Sequence, residues 1–261
     1  MMLQNKNALI LGAGGAIGSA VARRLTAEGA HVFLAGRTES VLESLAAELD
    51  APWERVDGTD EAAVSAWVDR VAREAGGIDV MFNAIGPRPI DADYDYATPS
   101  TTIPYGRFTL PLNVIVGSQF LTARAVARHM VPRGRGAIVF LSASLTGQFI
   151  PFMSGITAAC GAVEALSRTL ATEFGPAGVR VNCVRAGGMP ETRTIAETTA
   201  NMAATMGVQT DEAARSTATN VLRRPLRVEE TAATVAWVAS DLASGVAGQV
   251  VNVCAGAIVS R

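Results

Sequence analysis

Apolar residues along this chain follow two rhythms that alternate from end to end. Short unbroken apolar runs read as strands buried on both faces: 7–14 (NALILGAG), 31–37 (HVFLAGR), 78–86 (IDVMFNAIG), 136–144 (GAIVFLSAS), 179–187 (VRVNCVRAG) and 248–256 (GQVVNVCAG). A shorter run at 53–60 (WERVDGTD) adds a seventh. Between them lie stretches with apolar residues three and four apart, which predict helices: 16–30, 39–50, 61–77, 117–130, 159–178 and 229–243. Strands alternating with amphipathic helices specify α/β architecture, a mostly parallel sheet with helices on both faces. At 261 residues the expectation is a single domain spanning 1–261.

Two stretches break the rhythm. Residues 87–112 are rich in Pro, Asp and Tyr and hold all three tyrosines, Tyr94, Tyr96 and Tyr105. Residues 188–224 carry Thr- and Ala-rich helical pieces. Both follow the carboxyl ends of strands, where open α/β sheets bind their ligands, so both are expected to cover a substrate.

Composition narrows the chemistry. Apolar residues make up 49%, enough for a large core. A net charge of −2 offers no basic face for nucleic acid or an anionic membrane, and no unbroken apolar run reaches the ~20 residues of a membrane helix. Lys6 is the only lysine, which nearly excludes lysine-dependent mechanisms. Cys160, Cys183 and Cys254 stand apart in apolar contexts without metal-ligand spacing, so neither a metal site nor disulfides are expected, and a reducing, cytoplasmic setting fits. The amino terminus enters a strand directly and lacks the pattern of a signal peptide. His31 and His129 have no carboxylate nearby in sequence, so neither reads as a catalyst.

The first strand runs into Gly12, Gly14 and Gly15, and a helix starts at once through Ala16, Ile17 and Gly18. Side-chain-free residues let backbone N–H groups approach a pyrophosphate, and the helix amino end favours its charge.

From here the chain resembles the classical short-chain dehydrogenase/reductase family over essentially its whole length. Leu11, Gly12, Ala16 and Gly18 match the TGxxxGxG motif, with Leu for Thr and Ala for the middle Gly. The resemblance makes Asp57, with Gly58, the adenine-contacting segment, and it aligns Asn83, Ala84, Ile85 and Gly86 with NNAG. It aligns 179–192 with RVNxVxPG, so that Gly187 and Met189 would face the nicotinamide amide. It implies a doubly wound Rossmann-type domain with a seven-stranded sheet. It further implies a homo-oligomer, tetramer or dimer, built through helices 113–130 and 155–174. An acid at the end of the second strand would select NAD(H); here Gly36, Arg37 and Thr38 stand there, and a guanidinium suits a 2′-phosphate. The expected cofactor is therefore NADP(H).

The same alignment removes the family's proton-handling groups. Counted without gaps, its Asn, Ser, Tyr and Lys fall on Ile115, Ala143, Ile156 and Cys160. Asn113, Ser142, Ser144 and Tyr105 remain as polar candidates, with Tyr94, Tyr96, Asp91, Asp93, Asp95, Gln148 and Arg185 as further help. Asn113 would reach the site only if the helix start is irregular. Three readings follow: a redox enzyme of unusual chemistry acting on a small hydrophobic substrate; a non-redox cyclase, lyase or isomerase; and a non-catalytic NADP(H)-binding protein. The first is preferred, because a long aromatic loop is an odd thing to keep on a sensor.

Overall fold

The structure, a computed structural model, describes residues 1–86, 97–217 and 220–259. Seven strands form one parallel sheet: β1 (Asn7–Leu11), β2 (His31–Gly36), β3 (Trp53–Arg55), β4 (Val80–Asn83), β5 (Gly136–Ala143), β6 (Val179–Ala186) and β7 (Val250–Val253). Their order is β3-β2-β1-β4-β5-β6-β7. The direction of winding reverses between β1 and β4, which are paired from Ala8↔Val80 to Leu11↔Asn83. A reversal of that kind opens a crevice at the carboxyl ends of the two strands.

Helices α1 (Ala16–Ala27), α2 (Glu39–Leu49) and α10 (Val228–Ala239) cover one face, sharing a core cluster with Ile10, Leu34 and Phe82. On the other, α3 (Glu61–Glu74), α5 (Gly117–Arg133) and α7 (Ser154–Phe174) pack with Leu9, Met81, Ile138 and Phe140. Helix α3 illustrates why. Val64, Trp67, Val68 and Val71 are buried at helical spacing, and Asp60 caps the start by accepting from the Ala63 N–H at 3.0 Å. Burying each such side chain is worth about 1.5–3 kcal/mol.

Chain 87–112 is less of a loop than its composition suggests. Tyr105–Pro111 is helix α4, joined by a π-type turn, Leu112–Val116, to α5. The whole stretch Tyr105–Arg133 is 29 residues long and meets the length and composition of a membrane span, but half of its most apolar window is buried in the fold. Mixed apolar and polar positions hid its continuity from a search for unbroken runs. A one-turn helix α6 (Leu145–Gln148) precedes α7, and α8 (Arg193–Met206) and α9 (Thr210–Thr217) fill the second expected covering stretch. Tyr94, Tyr96, Asp91, Asp93 and Asp95 lie outside the described residues.

Candidate functional site

At the switch point the glycines are required by contact. Gly12 has φ +81°, and a Cβ there would lie 2.9 Å from the Ala84 carbonyl carbon. A Cβ at Gly18 would lie 2.2 Å from the Gly12 oxygen. The turn after β1 is therefore closed tightly on the turn after β4. Gly14, Gly15 and Ala16 are exposed at its crest, and no side chain caps α1 at Gly15. The first turn of α1 holds no acidic residue. An uncapped, acid-free helix start under a glycine crest fits a pyrophosphate. Ile17 is half-buried and packs with Met189 and Leu226.

The other expected contacts divide into exposed groups and struts. Arg37 and Thr38 are exposed at the end of β2, and Thr38 starts α2 with no side-chain cap. Asp57 is exposed and accepts from the Thr59 N–H (3.0 Å) and hydroxyl (2.7 Å) through one oxygen. Partial burial raises its pKa, but these Thr59 bonds and the nearby Arg37 charge bring it below the ordinary carboxylate value. Gly58 is buried because a Cβ would strike the Ile85 side chain at 2.2 Å.

Asn83 is fully buried, accepts from the Ile85 N–H at 2.8 Å and donates to the Thr122 hydroxyl at 3.1 Å. Its amide thus shapes the Ala84–Ile85 turn from inside the protein. Met189 is likewise buried, and its carbonyl accepts from the Thr192 N–H and hydroxyl. Gly187 donates its N–H to Val253 and has no room for a side chain beside Cys254.

Next to this cradle, the elements that carry the four apolar positions pack together, α7 against both the π-type turn and β5. The Ala143 backbone is close enough to Cys160 to act on its thiol. Ile115 is buried in the core cluster that also holds Cys160's neighbour Ala159, and half-buried Ile156 packs against it. Ile156 also meets a second cluster made by Met153, Met202, Ala203 and Ala213, with Leu145 and Phe152. The residue thus joins the core to the covering helices α8 and α9 through apolar contacts. Burial pushes the Cys160 thiol up to about 11, so it is no thiolate at neutral pH.

The polar candidates separate sharply. Ser142 donates to the Glu164 carboxylate at 2.9 Å and is buried, so its hydroxyl is already used. Arg185 is not available as a charge either: its Nε lies 2.8 Å from Glu164 Oε1, and its terminal nitrogen donates to Glu164 Oε2. Thr146 donates to the same carboxylate at 2.8 Å, and Arg185 also donates to Asn252 at 3.1 Å. This network ties β5, α6, α7, β6 and β7 beneath the site. Burial would raise the Glu164 pKa, but hydrogen bonds from Arg185, Thr146 and Ser142 hold it below the ordinary value. Tyr105 is 80% exposed and stacks on Phe108 with ring centroids 6.5 Å apart, which places it on the surface rather than in the pocket. Asn113 does sit in an irregular turn, the π-type one, yet its side chain is exposed. Ser144 is buried at the carboxyl edge of β5, with its N–H on the Ala186 carbonyl and its hydroxyl on Gln148 Oε1 at 2.5 Å. His129 does have a carboxylate partner in space, Asp69 of α3 at 2.6 Å, far from the crevice.

Comparison with known proteins decides the family. Residues 12–257 match the family model described as enoyl-(acyl carrier protein) reductase. This chain belongs to the short-chain dehydrogenase/reductase family of oxidoreductases. It is 33% identical to cis-4-hydroxycyclohexanecarboxylate dehydrogenase of Sinomonas cyclohexanicum, over 95% of each chain. It is also 33% identical to the short-chain reductase protein NovJ of Streptomyces niveus, over 97% of this chain and 94% of that one. Among solved structures, NAD⁺-bound xylitol dehydrogenase superposes with a TM-score of 0.88 at 27% identity, covering 98% of this chain and 100% of that one. Levodione reductase superposes with a TM-score of 0.86 at 28% identity, covering 97% of each. Short-chain dehydrogenases bind a nicotinamide cofactor, and the glycine crest, the uncapped α1 start and the Arg37–Thr38 corner are the residues here that fit one.

Proposed function

We propose that this chain is an NADP(H)-dependent oxidoreductase whose substrate is small and hydrophobic, with an activated C=C or a C=N bond rather than a simple ketone. The observation that carries this reading is that Ile115, Ala143, Ile156 and Cys160, apolar or un-ionised groups, lie on elements packed together next to the dinucleotide cradle. Bound NADP(H) supplies the hydride. The chain's residues supply the rest. Ile156, Leu145, Phe152, Met153 and Met202 form an apolar cluster that would wall the substrate's side of the site. Gln148, whose Oε1 accepts from the buried Ser144 hydroxyl, keeps its amide N–H groups to hydrogen-bond a substrate oxygen without giving up a proton. An iminium carbon requires no proton, and the enolate left by hydride addition to an activated alkene takes its proton at carbon from bulk water as it leaves the site. Neither demands the strong general acid that carbonyl reduction uses.

Arg37 and Thr38, with no acid at Gly36, support the phosphorylated cofactor. Replacing Arg37 by alanine is expected to weaken NADPH binding by about tenfold or more and to leave NADH affinity within about twofold. Fluorescence titration of both nucleotides checks it. The decisive experiment for the reaction is a panel of enones, imines and ketones, followed by nicotinamide absorbance. Enone or imine turnover with silent ketones is the expected result; strong ketone reduction overturns the reading. The double variant Ile156→Tyr/Cys160→Lys is expected to stay a poor ketoreductase, because Ile115 and Ala143 still lack polar groups; ketone-dependent NADPH oxidation measures it.

A homo-oligomer, tetramer or dimer, is proposed through α5 and α7. A groove of about 400 Å³ between them, lined by Phe120, Arg124, Val131, Leu170 and Phe174, supports this. Three buried, unpaired cysteines fit a reducing, cytoplasmic setting.

A further inference from the structure

The corner after β2 carries more charge than Arg37. Strand register sets Arg55, the last residue of β3, opposite Gly36, the residue before Arg37, so both arginines belong to the same carboxyl edge of the sheet. Each faces a carboxylate. Arg37 acts on Asp57, whose one oxygen is already tied to Thr59. Arg55 Nε lies 3.7 Å from Oε1 of Glu39, the first residue of α2. That is an ion pair but too long for a hydrogen bond, and both side chains are more than half exposed, at 69% and 56%.

The position of Glu39 is a problem for a phosphate. It follows Arg37 by two residues, in the first turn of α2. A carboxylate there is favoured by the helix dipole and occupies the end of the helix that an incoming anion would use. Left alone, Glu39 would repel a 2′-phosphate at Arg37 much as an acid at position 36 would.

We infer that Arg55 is a specificity-determining residue for the cofactor: it draws the Glu39 carboxylate toward β3 and adds a second cation beside the 2′-phosphate that Arg37 receives. This rests on the NADP(H) reading above and extends it to a residue on a different strand. Arg55 and Glu39 lie well within a Debye length, about 8 Å at physiological salt, of one another. As the pair is loose, it rearranges around a phosphate at little cost. A stability role is not expected, since exposed pairs of this kind contribute little to folding.

The test is nucleotide affinity, read by fluorescence titration of purified full chain with NADPH and NADH, alongside melting temperature. Arg55→Met is expected to weaken NADPH binding by about three- to tenfold, with NADH affinity changed less than twofold. Adding Glu39→Gln to Arg55→Met is expected to restore much of the lost NADPH affinity, because the repulsion leaves with the charge. Melting temperatures of all variants should match the parent. An unchanged NADPH to NADH ratio in Arg55→Met, or no recovery in the double variant, overturns the inference while leaving the cofactor reading in place. A parent protein that binds NADH at least as tightly as NADPH overturns the cofactor reading itself.

Discussion

Replacing Glu164 by alanine is expected to destabilise the protein by about 3 kcal/mol or more, lowering the melting temperature by about 6–12 °C. The carboxylate is 4% exposed and takes hydrogen bonds from Ser142, Thr146 and both faces of Arg185. Removing it strands the Arg185 guanidinium, whose side chain is only 15% exposed, and leaves two hydroxyl donors without their acceptor. The loss is therefore larger than the net worth of the pair. The double variant Glu164→Leu/Arg185→Met removes both charges, and it is expected to recover much of the stability if packing is kept. Differential scanning calorimetry of the two variants separates these cases, and a Glu164→Ala variant melting within about 2 °C of the parent would show that the network contributes nothing.

The same group gives a pH dependence of known sign. Its folded-state pKa lies below the unfolded-state value near 4.3, so the ionised network stabilises the fold above that pH. The contribution is lost as pH falls from about 4.3 through the lower folded-state pKa. Acid unfolding of the parent should include this loss, and the Glu164→Leu/Arg185→Met variant should lack it.

The second large effect is expected at Gly18. Alanine there would place a Cβ 2.2 Å from the Gly12 oxygen and 2.9 Å from the Gly12 carbonyl carbon. Both are backbone atoms in a turn already closed on Ala84, so neither can swing aside as a flexible side chain would. The start of α1 must move away from β1, at a cost of about 1–3 kcal/mol. Nucleotide affinity should fall by about tenfold or more, because the crest no longer aims its N–H groups together. Gly15 provides the control. A Cβ there meets only the Gly12 oxygen at 3.4 Å, and its φ of −83° suits any residue. Gly15→Ala should melt like the parent and lose only nucleotide affinity. Thermal melts paired with NADPH titrations distinguish the two, and a Gly18→Ala variant that melts and binds like the parent would refute the account of the turn.

These two positions also mark where sequence patterning was informative and where it was not. Gly18 was legible because a glycine crest between a strand and a helix has one dominant physical use. Glu164 was not legible as a structural centre. It sits one turn after Cys160 on a helix whose other inward positions, Ser167 apart, are apolar or small, and its partners lie at positions 142, 146 and 185. Ser142 and Arg185 looked like available polar groups because a sequence does not say which side chains already face each other. The turn-shaping bond of Asn83 was hidden for the same reason, its partner Thr122 being 39 residues away. Tyr105 was drawn into the site by loop composition, whereas the start of α4 turns it outward.

The order of strands and helices, the parallel sheet and the dinucleotide turn were determined by the sequence alone, since each depends on periodicity or on neighbours a few residues apart. Only the tertiary structure decided which polar groups remain available. That outcome depends on pairing across elements distant in sequence, Glu164 with Arg185, Asn83 with Thr122 and Arg55 with Glu39, where burial and distance fix the partner and local pattern carries no trace of it.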